Sequence, residues 1–194
     1  MSEAHDISAH AAIGPGRLIL VVGPSGAGKD TLLGLAKSTC SEDRNIVFPR
    51  RVVTRDASAS EDNEILAPDA FREALTRGEF ALHWEAHNHL YGLRHAIDDD
   101  IRAGRTVVIN VSRTVIDAAR RAYADVTVVS ITAPPDVLAE RIAMRARGSD
   151  GLSAQRLGRT VEAAAPDITI LNVGRPEDHA RRLERIIRGD YAAT

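Results

Sequence analysis

The segment Gly23-Pro24-Ser25-Gly26-Ala27-Gly28-Lys29-Asp30-Thr31 has the spacing G-x-x-x-x-G-K, which concentrates backbone N–H groups and one lysine at a single point of the chain. Residues of these types do phosphate chemistry. Glycines let the backbone wrap an anion with its amides turned inward, and a helix starting at the loop adds positive potential. The Lys29 ammonium then reaches the β- and γ-phosphates of a nucleoside triphosphate. The plainer alternative is a glycine-rich turn with a chance lysine. It fits poorly with the flanking sequence, because an apolar run leads into the loop and a leucine-bearing segment, with Leu32, Leu33 and Leu35, leads out of it.

One position departs from the usual pattern. The residue after the loop lysine is normally a Ser or Thr whose hydroxyl meets Mg²⁺, and here it is Asp30, with Thr31 one place later. A carboxylate beside a triphosphate is repelled unless a cation lies between them, and Mg²⁺ takes oxygen ligands of this kind. The second customary ligand is an acid at the end of a later strand, yet the run Val107-Val108-Ile109-Asn110 ends in an amide. Asp30 therefore has two readings. It supplies the carboxylate that Asn110 lacks, with Thr31 as a further metal candidate, or it caps the helix, where the dipole favours an acid.

To hold this loop, a strand must end at residue 22 and a helix must start near residue 30. The apolar run 17–22, stopped by glycine, predicts a strand buried on both faces, and 31–37 predicts the helix. The alternation continues with strands at 106–111, 126–132 and 168–172 and helices at 113–123, 136–147 and 177–188. This order predicts an α/β fold of three layers, a central parallel sheet covered by helices on both sides. Between about 46 and 94 the rhythm breaks into short β-like pieces, a helix near 68–77 and a cluster of His, Trp and Tyr, which reads as an inserted acceptor-binding lobe. Residues 1–16 read as a flexible leader broken by Gly14-Pro15-Gly16, and 17–190 as one domain.

The bulk properties narrow the function. A chain of 194 residues, 44% hydrophobic and 27% charged, suits a single globular domain with a substantial core. The lone Cys40 excludes a disulfide scaffold and a thiolate zinc site and points to a reducing, cytoplasmic setting. A net charge of −2, with one Trp, three Tyr and three Phe, gives no general field or stacking surface for nucleic acid. No apolar run approaches the roughly 20 residues of a membrane span. Small molecules are the expected partners; a homodimer is allowed but not required. Of the 25 basic residues only Lys29 and Lys37 are lysines. The arginines cluster at Arg141, Arg145 and Arg147, then at Arg156 and Arg159, around Gly148-Ser149-Asp150-Gly151. That is how a hinged lid over about 141–160 would look, and arginines on a closing lid neutralise charge on a migrating phosphoryl group. Arg141 and Arg159 read better as a solvated face, paired with Glu140, Asp150 and Glu162.

The order of segments resembles the guanylate-kinase-like P-loop kinases over nearly the whole chain. The matching pieces are residues 23–29, Val53-Thr54-Arg55, Arg77-Gly78-Glu79-Phe80, Tyr91-Gly92, Ala133-Pro134-Pro135, Arg145-Ala146-Arg147-Gly148, Gln155-Arg156-Leu157 and Ile170-Leu171-Asn172. Within that group the chain looks most like the ribose 1,5-bisphosphate phosphokinases of phosphonate metabolism, through Gly28-Lys29-Asp30, Phe80-Ala81-Leu82-His83-Trp84, Tyr91-Gly92 and Val108-Ile109-Asn110-Val111-Ser112-Arg113. The resemblance implies ATP as phosphoryl donor, Mg²⁺, a phosphosugar acceptor and 5-phosphoribosyl 1-diphosphate as product. It also implies catalytic roles for Lys29, Arg145, Arg147 and Arg156, and acceptor contacts from Arg51, Arg55, His83, Tyr91 and Asn110. Arg50 and Arg51 have a second reading as exposed strand ends. Asn172 either lies near the adenine or caps a turn. A guanine reader needs carboxylate acceptors, but the corresponding positions are His83 and Asn110, and Leu93 follows Tyr91-Gly92. A guanylate or other nucleoside-monophosphate kinase is the nearest alternative, and a non-catalytic binding module is the next. Trp84 reads as core, and the spacing of His83 and His87 would suit zinc only on a helix, which the strand-like context argues against.

Overall fold

β1 (Arg17–Val22) is apolar on both sides because both sides are covered, and the rest of the molecule is organised around it. The structure is a computed structural model that describes residues 11–55, 62–147 and 165–190, with side chains in the fifth helix described through Met144. Leu18, Leu20 and Val22 point into one core and Ile19 and Val21 into a second, all of them at most 1% exposed. The alternating pleat of a strand with two buried faces explains why the sequence shows a continuous apolar run there.

Four further strands join β1 in a five-stranded sheet: β2 (Ile46–Val47), β7 (Thr106–Asn110), β8 (Val126–Thr132) and β9 (Ile168–Leu171). They run in the order β2-β7-β1-β8-β9, with every pairing parallel. Parallel strands bring their carboxyl ends to one edge. The loop after β1 therefore sits between the ends of β7 and β8, the crevice where open α/β sheets bind ligands. One face is covered by α1 (Lys29–Thr39) and α6 (Pro176–Arg188), whose Leu32, Ala36, Leu183, Ile186 and Ile187 close the core around Val108, Val129 and Ile170. The other face carries α3 (Ala96–Arg102) and α4 (Ile116–Ala122), through Ile97, Ile101, Ile116 and Ala119.

A second sheet of four strands has the order β4-β3-β6-β5, built from β3 (Val52–Val53), β4 (Glu64–Ile65), β5 (Phe80–Ala86) and β6 (His89–Arg94). β5 and β6 form a hairpin whose two turn residues, His87 and Asn88, both have positive φ (53° and 61°), the signature of a tight two-residue turn. Val53, Leu82, Trp84, Tyr91 and Leu93 face the main core, whereas Val52 and Phe80 face α2 (Pro68–Thr76), where Phe71 stacks on Phe80 at 4.5 Å. Arg94 pins this lobe together, its guanidinium donating to Glu64 at 2.5 Å and to Glu79 at 2.7 Å.

The structure bears out the expected α/β architecture and differs from the sequence reading in detail. β2, at the start of the segment read as lobe, belongs to the central sheet beside β7. The predicted helix 113–123 divides into a 3₁₀ turn at Arg113–Val115, where the Ser112 hydroxyl accepts from the Thr114 N–H, followed by α4. Residues 11–16 are not a loose leader. Ile13 pairs with Tyr123 and exchanges backbone hydrogen bonds with Ala122 and Ala124, and the Gly16 N–H donates to Ile101. The rest of the predicted leader, residues 1–10, lies outside the described residues.

Candidate active site

The loop from Gly23 to Gly28 is shaped by contacts that only glycine allows. At Gly23 (φ 148°) a Cβ would lie 2.0 Å from the Ile131 carbonyl oxygen, and at Gly28 (φ 85°) it would lie 2.4 Å from the Asn172 side-chain nitrogen. Gly28 is the N-cap of α1, so Lys29 and Asp30 open the helix. The Lys29 ammonium lies across the loop and donates to the carbonyls of Gly23 and Pro24, both at 2.9 Å. Its charge is thus held where the loop and the helix N-terminus converge.

Behind the loop, Asn172 is 3% exposed and donates its amide to the Ala27 carbonyl at 2.8 Å. The carbonyl of a trans peptide points opposite to the N–H of the next residue, so this bond turns the Gly28 N–H away from Asn172. The side chain of Asn172 thus supports the loop from the end of β9, whereas the sequence left it between an adenine contact and a turn cap. Arg141 of α5 (Pro135–Arg147) does not lie on a freely solvated face. It donates to the Asn172 carbonyl at 3.1 Å and to the Gly26 carbonyl at 3.5 Å. Reading by composition and charge missed this role, since nothing local in the sequence ties residue 141 to residues 26 and 172.

Asp30 is the acid of the first turn of α1, where the dipole favours it, and no side-chain hydrogen bond caps the helix. The Asn110 amide instead donates to Asp30 Oδ1 at 2.7 Å. β1 and β7 pair in parallel with Val21 opposite Asn110, which is 9% exposed, and this register brings the end of β7 to the start of α1. The donor set suits Mg²⁺. A carboxylate and, one residue on, the exposed Thr31 hydroxyl are hard oxygen groups, and no group of three or more His, Cys, Asp or Glu that could hold a metal ion occurs among the described residues. Mg²⁺ bound through one or two side chains and completed by phosphate oxygens is the customary arrangement for nucleotide enzymes.

On the lobe, Tyr91 stacks on Trp84 at 5.4 Å with nearly parallel rings, each 8% exposed, so Trp84 is core as expected. The pleat turns His83, opposite Gly92, to the other face, where it is exposed and lines a cleft of about 430 Å³ with Leu75, Glu85 and Thr114. The structure therefore does not put His83 and Tyr91 on one face of the sheet. His83 and His87 lie on a strand and a turn, which removes the helical zinc spacing. Arg55 is half-buried and follows Thr54, whose N–H and hydroxyl both bond to Leu90, the neighbour of Tyr91. Arg51 donates to the Asn63 side chain at 3.3 Å, and Arg50 pairs with Asp62 at 2.8 Å. Of the predicted lid, Arg145 and Arg147 belong to α5 by backbone, while Gln155, Arg156 and Arg159 lie outside the described residues.

One polar group has no signal in the sequence. Asp98, 5% exposed, accepts from Tyr123 at 2.6 Å and meets His95 Nδ1 at 2.6 Å, while His95 Nε2 reaches the Gly78 carbonyl at 3.0 Å. Burial, reinforced by the bond to Asp98, raises the Tyr123 hydroxyl well above the ordinary tyrosine range. The group ties the turn between α2 and β5 to the core.

No protein-family model matches the chain. Curated relatives do. A ribose 1,5-bisphosphate phosphokinase PhnN of Bradyrhizobium diazoefficiens is 63% identical over 181 residues, covering 92% of this chain and 91% of the relative. One of Rhodopseudomonas palustris is 65% identical over 176 residues, covering 91% and 90%. Among solved structures, a guanylate kinase from Anaplasma phagocytophilum covers 92% of this chain and 87% of its own at a TM-score of 0.63 and 21% identity. The APS kinase CysC of Mycobacterium tuberculosis, in complex with AMPPNP and APS, covers 90% and 99% at 0.51 and 15%. The structural likenesses identify the fold, that of P-loop kinases.

Proposed function

Because the chain belongs to the family of ribose 1,5-bisphosphate phosphokinases, we propose that it transfers the γ-phosphoryl group of ATP to ribose 1,5-bisphosphate. An oxygen of the sugar 1-phosphate bonds to the γ-phosphorus as the bond to the β,γ-bridging oxygen breaks, giving 5-phospho-α-D-ribose 1-diphosphate and ADP. A phosphate oxygen is largely ionised at neutral pH, so the transfer needs no general base, and positioning and charge neutralisation carry the catalysis.

Each part of the chain has a task in that scheme. The loop amides and Lys29 hold the β- and γ-phosphates, and Asn172 and Arg141 keep the loop open to them. Bound Mg²⁺ would offset charge between those phosphates, with Asp30 and Thr31 as its protein ligands. Arg55, Tyr91 and Arg51 of the lobe are assigned to the acceptor phosphates, and Arg145, Arg147 and Arg156 of the lid to the migrating group. His83 is assigned to the sugar end of the acceptor on the resemblance alone, since the pleat turns it to the face opposite Tyr91. No described helix is long and apolar enough to cross a membrane, and the buried, unpaired Cys40 fits a reducing cytoplasm.

The observation that carries the choice of acceptor is the chemistry at the two positions where guanine recognition needs acids. One holds His83, and the other holds Asn110, whose amide is engaged with Asp30. Coupled ADP release measured with ribose 1,5-bisphosphate, GMP, AMP and ribose 5-phosphate tests it. Turnover should be confined to the bisphosphate; preference for GMP would overturn the assignment.

A further inference from the structure

Asp30 and Asn110 are 80 residues apart and meet beside the phosphate loop. We propose that they form one functional couple in which the usual charge has changed places, with Asn110 as the positioning residue of Asp30. The inference rests on reading the protein as an ATP-dependent kinase. In the common P-loop arrangement a neutral hydroxyl follows the lysine and a carboxylate stands on a separate strand, so the metal site holds one neutral hydroxyl oxygen and one negative charge. Here the carboxylate follows the lysine, and the neutral donor ends β7, the strand beside β1. The charge count is unchanged, and so is the sense of the hydrogen bond, donor to carboxylate.

The geometry supports a couple rather than two unrelated residues. Asn110 is almost fully buried, and its amide is directed at Oδ1 at 2.7 Å. Among the described residues Oδ2 accepts no hydrogen bond, so one oxygen is fixed and the other is available to a cation. A capping hydrogen bond does not account for the acid, because Gly28 holds the N-cap position without a side-chain bond. The helix dipole favours an acid in the first turn but does not call for the bond from Asn110. A buried amide cannot supply charge, but it can fix the rotamer of a neighbour that does, and partners of this kind set metal affinity. Asn110 then acts on the nucleotide side, through Asp30.

A charge swap tests this. ATP binding is measured by calorimetry with and without Mg²⁺, alongside the unfolding midpoint, for wild type, Asp30→Ser, Asn110→Asp and the double variant. Asp30→Ser should cut the affinity gained from Mg²⁺ by about 10- to 100-fold. Asn110→Asp sets a second carboxylate beside Asp30, so it should weaken metal-free ATP binding and raise that gain. The double variant, with the donor on α1 and the acid on β7, should recover most of that gain. Asp30→Asn, nearly isosteric and without opposed carboxylates, serves if Asn110→Asp fails to fold. It should lose the Mg²⁺ gain, keep its unfolding midpoint, and bind metal-free ATP as well as or better than wild type. If the double variant is as impaired in its Mg²⁺ gain as Asp30→Ser, or if Asp30→Asn keeps the full Mg²⁺ gain, the couple is overturned while the kinase reading stands. A wild-type protein that binds ATP in neither condition overturns the kinase reading itself.

Discussion

Around the phosphate loop the backbone forms the surface, and side chains such as Asn172 and Arg141 act from behind to hold it, whereas in the acceptor lobe the side chains are themselves the surface. The loop is rigidly specified: its carbonyls are bonded to Lys29, Asn172 and Arg141, and two of its glycines have no room for a methyl group. The lobe has only two-residue strands at β3 and β4 and is held by Arg94 between two glutamates. A loop held this tightly leaves little room for substitution, whereas the exposed side chains of the small sheet can change without disturbing its backbone.

The comparison can be broken most sharply at Lys29. Lys29→Ala should lower transfer by at least about 100-fold with only a small fall in the unfolding midpoint, from the lost bonds to the Gly23 and Pro24 carbonyls. Near-normal turnover at saturating ATP would remove the loop from the mechanism. On the lobe, Arg55→Ala should raise KM for the bisphosphate by roughly tenfold or more while KM for ATP barely moves, as expected for a lost charged hydrogen bond. Equal weakening of both substrates would make Arg55 structural.

Gly28→Ala tests how strictly the loop is specified. A Cβ at φ 85° is strained, and it would displace the Asn172 amide 2.4 Å away, so stability should fall by about 1–2 kcal/mol and ATP affinity with it. Adding Asn172→Ala should relieve the clash but not the strain, and chemical denaturation of both variants separates the two. The smallest effect is expected in the lobe. The hydrogen bond from Arg94 is the main cause holding the Glu64 carboxyl below its usual range. A lowered folded-state value means that this stabilisation is complete above the ordinary glutamate range near pH 4.3 and is lost as pH falls through the folded value. Thermal midpoints between pH 7 and 3 should therefore drop less steeply for Arg94→Gln than for wild type. Parallel curves would show that the ion pair adds nothing.

The same division governs how much could be read from sequence. The loop, β1 and the alternating elements were legible because they rest on local spacing and on runs of apolar residues within one segment. β1 begins and ends where the pattern says, and Trp84 is core as its strand position implies. What escaped notice is long-range pairing at the ends of parallel strands. Asn110 reaches Asp30 across 80 positions and Asn172 reaches Ala27 across 145, and no local pattern encodes either contact. Arg141 resembled any other surface arginine for the same reason. The Asp98–Tyr123–His95 group was hidden because a buried acid in a run of three aspartates, 98–100, looks like a solvated helix start. In the lobe, the opposite faces of His83 and Tyr91 depend on the hairpin register, which the turn at His87-Asn88 sets and the motif alone does not reveal.

The central claim is that the γ-phosphoryl group is placed on the 1-phosphate of a doubly phosphorylated ribose. ³¹P NMR of the protein incubated with ATP, Mg²⁺ and ribose 1,5-bisphosphate reads this directly. The account predicts that the sugar 1-phosphate resonance gives way to a pair of coupled diphosphate doublets distinct from those of ADP, with the 5-phosphate singlet unchanged. Persistence of both sugar monophosphate resonances while ATP is consumed to ADP and inorganic phosphate would contradict it.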